Sequence, residues 1–327
     1  MFNIKFNNKI KIKKDRCFIM GSGRWSDSDW KSYSTSHVAS KSRVEDIYTS
    51  KAIVSDLDPK NIKIRESRDS ADNPNSTALI VGLDVTGSMG SILDVTARQG
   101  LKALAEGVYN RKPISDPHMM FMGIGDVEAG DKSPLQVTQF EADIRIAEQL
   151  TKIYLEGGGG GNSYESYALP WYFAAMHTSI DCFEKRNKKG YIFTIGDEQP
   201  TPYLRGQDIE RVFGYKPQFD KISAEDLLTM VSRQYDVYHI MVEEGYHFKR
   251  SGDKVVKEWT ELLGQRAIRL SDHKKLGEVI VSTIQIAEGE SADKVISSWD
   301  GSTGLVVAKA IESLNKNVSN SNGLIKF

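Results

Sequence analysis

Three oxygen-bearing side chains, Asp84, Thr86 and Ser88, stand at alternate positions in the stretch LIVGLDVTGSM of residues 79–89. One carboxylate and two hydroxyls converging on a point suit a hard cation such as Mg2+, which takes oxygen ligands in near-octahedral geometry and keeps several waters. Gly87 frees the backbone to turn between them. The competing reading is a helix N-cap, because Ser or Thr ahead of a helix commonly satisfies its first free N–H groups. Two more apolar runs end in acid: residues 119–125 stop at Asp126, and residues 190–196 stop at Asp197 and Glu198. One acidic turn ahead of a helix is common; three on successive apolar runs suggest a shared site.

The elements that must position these residues follow from hydrophobic periodicity. Residues 79–83 read as a fully buried strand. Residues 92–109 read as a helix that buries Ile92, Val95, Leu101, Leu104, Ala105 and Val108. Further strands are expected over 119–125, 190–196, 237–242 and 267–270, with a short one about Val137 and Phe140; helices are expected over 144–155, 167–183, 255–263 and 276–287. This alternation predicts an α/β fold with a doubly wound, mostly parallel central sheet flanked by helices, whose ligands sit outside the carboxyl ends of the strands.

Around that core, residues 2–12 alternate polar and apolar about Asn7 and Asn8 and predict a hairpin with a lysine-rich face. Residues 21–42 are rich in Ser, Gly and Asp and carry Trp25, Trp30 and Tyr33, as a loop laid over the domain or as a partner-binding segment; both tryptophans are expected to dock. Ile62 and Ile64 suggest a short strand, and residues 65–75 read as a charged linker or as a segment lying beside the metal loop. A helix over 305–314 is expected to fold back on the domain, with a polar end over 315–322. The predicted division is an N-terminal extension over 1–76, an α/β domain over 77–288 and a helical tail over 289–327.

The segment DVTGSM at residues 84–89 resembles the first metal-binding motif of von Willebrand factor type A domains, the Asp-x-Ser/Thr-x-Ser of the metal-ion-dependent adhesion site, in an intracellular, bacterial or phage-like type. The resemblance covers residues 77–288 and implies a Rossmann-like fold. In that family a second metal loop precedes the next helix; here the segment is NSYE at 162–165, after five glycines at 157–161. Many relatives place a Thr there and the integrin β type a Glu, so Glu165 is the implied ligand, with Ser163 as the substitute. The third loop is usually Thr-Asp-Gly; the order here is Gly196, Asp197, Glu198, which makes Asp197 the match and Glu198 its neighbour. The implied ligand set is Asp84, Thr86, Ser88, Glu165 and Asp197, the last directly or through water, with Ser163, Asp126 and Glu198 as alternates. The implied cofactor is a divalent cation, Mg2+ ahead of Mn2+ or Ca2+. The implied partner is a protein whose Asp or Glu completes the metal shell, so the expected function is a scaffold or adaptor and not an enzyme.

Composition narrows the alternatives. The 327 residues, 39% hydrophobic and 27% charged, are those of a globular chain with material for a large core. A net charge of -1, from 43 basic and 44 acidic residues, provides no field for nucleic acid or an anionic membrane. Cys17 and Cys182 make neither a disulfide framework nor a metal cluster, and the six histidines have no ligand spacing. The five glycines lack the Gly-Lys-Ser/Thr ending of a phosphate loop and read as a flexible linker. No apolar run reaches a membrane span, and residues 1–12 lack the apolar centre of a signal peptide, so a cytoplasmic setting is expected. A haloacid-dehalogenase-like Mg2+ phosphohydrolase would share the Asp after a buried strand. It needs a second Asp two residues on as general acid, and position 86 is Thr. A third reading makes Trp25, Trp30 and the basic hairpin the contact surface for a partner or nucleic acid, although the aromatic platform of a strand binder is lacking.

Overall fold

The computed structural model describes residues 23–157 and 162–315, so the hairpin expected over 2–12 and the polar end beyond 315 lie outside the described residues. The strands are β1 Arg65–Ser67, β2 Thr77–Asp84, β3 Pro117–Ile124, β4 Leu135–Val137, β5 Thr178–Ile180, β6 Gly190–Gly196, β7 Tyr203–Arg205, β8 Lys221–Ser223, β9 Tyr235–Val242 and β10 Ala267–Leu270. The helices are α1 Asp27–Tyr33, α2 Gly90–Val95, α3 Leu101–Arg111, α4 Arg145–Leu150, α5 Ala168–Met176, α6 Asp181–Glu184, α7 Gly206–Phe213, α8 Ala224–Val231, α9 Tyr246–Leu263, α10 Leu276–Ala287, α11 Ala292–Ser297 and α12 Gly301–Asn315.

The fold is α/β, built on a mixed six-stranded sheet of order β10-β9-β6-β2-β3-β4. Its pairings are parallel except at the edge, where β4 runs antiparallel to β3. β2 is buried along its whole length because both its faces are covered. Leu79, Val81 and Leu83 enter one apolar core with Phe193 and Ile240, whereas Ala78 and Ile80 enter the other with Met120, Met122 and Ile192. Alternate residues thus serve two cores, which is why the run reads as continuously apolar. The register sets Asp84 against Ile124 and Gly196 against Met241, so Asp84, Asp126 and Asp197 come to one edge of the sheet.

Several expected elements are corrected. The helix read over 92–109 is α2 and α3 joined through a π turn at Thr96–Gly100, where the Thr96 hydroxyl donates to the Ile92 carbonyl at 2.8 Å. The helix read over 167–183 stops at Met176; Thr178 and Ile180, β-branched, enter β5 and pair in parallel with β1. The linker expected over 65–75 therefore begins as a strand, and the strand expected at Ile62 and Ile64 is displaced, with Ile62 closing a tight turn and Ile64 exposed. α4 covers only part of 144–155, and α9 starts at Tyr246 instead of 255, with non-helical backbone at Ser251. Phe140 is buried beyond the end of β4. The hairpin of β7 and β8 and helices α7, α8 and α11 were not anticipated.

The segment ahead of β2 lies over the domain. Trp30, Tyr33, Val38, Ile47, Tyr48 and Leu57 are buried in the same core as Leu79. Trp25 stacks on Trp30 at 5.7 Å and on Tyr109 at 6.4 Å, so both tryptophans dock. At the other end, Val307, Ala310 and Ile311 of α12 are buried against α10 and β10. Among the described residues no helix is long and apolar enough to cross a membrane.

Candidate metal centre

Asp84 closes β2 and is fully buried. Its Oδ1 accepts the Thr86 backbone N–H at 2.9 Å and the Thr86 hydroxyl at 2.6 Å, which folds the chain into the turn that follows. Its Oδ2 accepts the Tyr167 hydroxyl at 3.2 Å. Tyr167 comes this close because residue 196 is glycine, where a Cβ would overlap the phenol oxygen. Burial, and then the charge of Asp197, push the Asp84 carboxyl up to about 7 against the hydrogen bonds from Thr86. The Ser88 side chain lies outside the described residues.

Glu165 is only 2% exposed, and its Oε2 has no hydrogen-bond partner. Burial, then the charges of Asp84, Glu198, Asp126 and Asp131, push its carboxyl up to about 11. Glu198 behaves alike: burial, then Asp84, Asp197 and Asp126, raise it to about 8, and its Oε2 is also unpartnered. Asp197 is fully buried and accepts the His247 backbone N–H at 2.7 Å, at the start of α9. Gly245 allows that approach, since a Cβ there would collide with the Asp197 side chain. Asp126 accepts the Glu128 N–H at 2.8 Å and the Asn162 amide at 2.6 Å.

Five carboxyl groups therefore share one enclosed region at the sheet edge. Among the described residues no lysine or arginine lies within ion-pair distance of Asp84, Asp126, Glu165 or Glu198; the nearest cationic candidate is the His247 ring, 3.8 Å from Glu198. Buried carboxylates without counter-charge are costly. The unpartnered oxygens of Glu165 and Glu198, both within the influence of the Asp84 charge, are donors of the kind hard divalent cations prefer.

Of the sequence-derived residues, Asp84 and Thr86 are hydrogen-bonded, and Asp84, Glu165, Asp197, Asp126 and Glu198 lie near enough for their charges to act on one another, but no three of these carboxyls bring their oxygens within 4.8 Å of one another. Ser163 contributes through its backbone: its carbonyl accepts the Gln199 N–H and side-chain amide, both at 3.1 Å, which ties the second loop to the third. Sequence reasoning missed Tyr167, hidden in an apolar aromatic run, and the His247 backbone N–H, which has no side-chain signal. It also missed the wall beneath the acids. There the His239 ring lies flat on Trp259 at 3.5 Å, Tyr167 meets both edge-on, and the Trp259 indole N–H donates to the Glu198 carbonyl at 2.8 Å. Burial holds the His239 imidazole well below its ordinary value, so this wall is neutral.

Among the described residues, the one group of three whose ligand atoms all lie within 4.8 Å of one another is elsewhere: Glu244, Asp272 and His273, at the ends of β9 and β10. Bonds inside the turn account for it: Glu244 accepts the His273 N–H at 2.7 Å and contacts its ring at 2.6 Å, and Asp272 accepts the Lys274 N–H at 3.0 Å.

No family model matches the chain, and no curated protein matches it. Among solved structures it is similar to the pilus adhesin SpaC from Lactobacillus rhamnosus GG in its open conformation, at 10% identity and a TM-score of 0.42, over 68% of this chain and 31% of that one. It is also similar to proximal thread matrix protein 1 from the mussel byssus, at 11% identity and a TM-score of 0.41, over 65% of this chain and 46% of that one. The chain spans less than half the length of either, and at these scores the likeness carries no argument about function.

Proposed function

We propose that the chain is a divalent-cation-dependent protein-interaction module of the von Willebrand factor type A kind. In this reading Asp84, Thr86, Ser88, Glu165 and Asp197 hold the cation, Mg2+ ahead of Mn2+ or Ca2+, and an Asp or Glu of a partner protein completes the shell. The supporting observation is the Glu165 carboxyl, enclosed, with one oxygen unpartnered, set among other acids with no lysine or arginine at ion-pair distance among the described residues. Strand order supports it as well. The sheet grows from β2 toward β3 on one side and toward β6, β9 and β10 on the other, as in a doubly wound sheet, so Asp84 stands where the winding reverses.

Each residue has a distinct task. Thr86 fixes the orientation of Asp84 through Oδ1, Tyr167 through Oδ2, and the His247 N–H fixes Asp197. Glu165 leaves an oxygen open. When bound, a divalent cation supplies the positive centre that a partner carboxylate meets, and it is then the largest local charge.

Thermal unfolding in chelator, then with Mg2+, Mn2+ or Ca2+, tests the reading on the wild type beside Asp84→Ala. A cation at a hundredfold excess over its dissociation constant stabilises the fold by about 2.7 kcal/mol, a rise of roughly 4 °C for a chain of this length. The rise is expected in the wild type and absent in the variant. If both melt alike under every condition, Asp84 and Thr86 only cap a turn.

A further inference from the structure

Away from the sheet edge, a cavity of roughly 560 Å³ opens between the tight turns at 55–61 and the chain that follows β4. That volume is typical of small-molecule sites. Val54, Leu57 and Ile62 form its apolar side, and Arg65, Gln139 and Lys152 its polar side. The walls are braced. Asn61 donates to the Ser55 carbonyl at 3.1 Å, and Arg65 Nη2 joins the two sides by donating to the Asp56 carbonyl and, at 3.1 Å, to the Val137 carbonyl.

Arg65 is the unusual member. It is 7% exposed, yet among the described residues no carboxylate lies within ion-pair distance of it, and its Nε has no hydrogen-bond partner. A buried guanidinium normally faces an acid, because an unpaired buried charge is costly. Burial depresses it to about 10, although Asp56 and Glu141 are near enough to oppose this. Glu141 is engaged elsewhere, 3.1 Å from Arg145 and accepting the Gln149 amide at 2.9 Å. With Lys152 the cavity holds two cations against the single carboxylate of Asp56.

We propose that this cavity binds a small carboxylate with an aliphatic side chain, the chemistry of an N-acylated amino acid or of a peptide C-terminus. The carboxylate answers Arg65 and Lys152, and the aliphatic side chain rests against Val54, Leu57 and Ile62. The proposal is independent of the metal centre.

Calorimetric titration of the full chain with N-acetylvaline, its methyl ester, and a pentapeptide ending in valine with a free carboxylate tests it. The free acid is expected to bind saturably and the ester at least about tenfold more weakly, the loss expected when a charge-assisted contact is removed. Arg65 braces the walls, so its removal risks unfolding; Lys152→Ala, checked for an unchanged melt, is expected to weaken the acid about fivefold or more. Tighter binding of the pentapeptide than of N-acetylvaline assigns the site to a chain terminus, and equal or weaker binding to a free small molecule. Acid and ester binding alike, neither binding at roughly 10 mM, or the Lys152 variant binding as the wild type does would overturn the proposal.

Discussion

Two regions of this molecule are rich in acid, and they treat it in opposite ways. Where β1 meets α6, Arg68 reaches Glu66 at 2.8 Å, Asp181 at 2.8 Å and Glu184 at 2.7 Å, while Asp69 takes Arg186 at 2.7 Å and Lys185 at 3.3 Å. Burial raises these acids, but the cations and hydrogen bonds outweigh it and hold Asp69, Asp181 and Glu184 below their ordinary values. At the sheet edge Asp84, Glu165 and Glu198 are also enclosed, the described residues supply no such cation, and burial together with their neighbours' charge pushes all three upward. The fold can place an arginine beside an enclosed acid and does so where the acid only holds chain segments together. Withholding one at the sheet edge is the more informative choice.

Removing the cation from the first region should make it resemble the second. Arg68→Ala leaves Asp181, 3% exposed, with Lys185 as its one ion-pair partner among the described residues and the Asp69 backbone N–H as a donor. Losing one partner of a buried pair costs ~3–5 kcal/mol, and the partial exposure of Arg68 itself discounts this to about 2 kcal/mol. Urea unfolding at neutral pH measures it; a loss under ~0.5 kcal/mol would dissolve the contrast.

The two regions should also respond to pH with opposite sign. Acids whose folded pKa is depressed, such as Asp181, contribute stability that is present above the unfolded carboxylate value near 4 and lost as pH falls through the folded value. Asp84 and Glu198 reverse this: their folded values of about 7 and about 8 mean that the folded chain holds more protons, so stability falls as pH rises from ~4 toward those values. Glu165, at about 11, must take up a proton to fold in mildly alkaline solution. In chelator, Glu165→Gln is therefore expected to be more stable than the wild type by ~1 kcal/mol or more near pH 8, an advantage that vanishes near pH 4. Its response to Mg2+ should need at least about tenfold more cation. A variant less stable than the wild type at pH 8 would argue that Glu165 is an ordinary buried acid. The smallest effect is expected of Tyr167→Phe, which deletes one donor to Asp84. It should cost ~1 kcal/mol and weaken Mg2+ a few-fold; an unchanged Mg2+ titration would reduce Tyr167 to packing.

What the sequence made legible follows from how each residue acts. Asp84, Asp126 and Asp197 stand where long apolar runs stop, so strand and acid announce one another. β1 and β5 are three residues each and polar but for Ile180, too short for periodicity to register, and their pairing joins segments more than a hundred residues apart. Tyr167 sits in an aromatic run whose other members are core, and nothing local separates the one phenol that reaches Asp84. The His247 contact is made by backbone, visible beforehand only as the glycine at 245 that permits it. Arg65 appeared as one charge in a charged stretch, because its isolation from carboxylates is a property of the folded neighbourhood.

The segment that precedes β2 has a practical corollary. Trp30, Tyr33, Val38, Ile47, Tyr48 and Leu57 belong to the same core as the central strand, so a fragment begun at Thr77 would expose the face they cover. Such a patch invites self-association. In evolutionary terms, the sheet and its site cannot be shuffled between genes as a free cassette: the stretch that wraps them must travel with them.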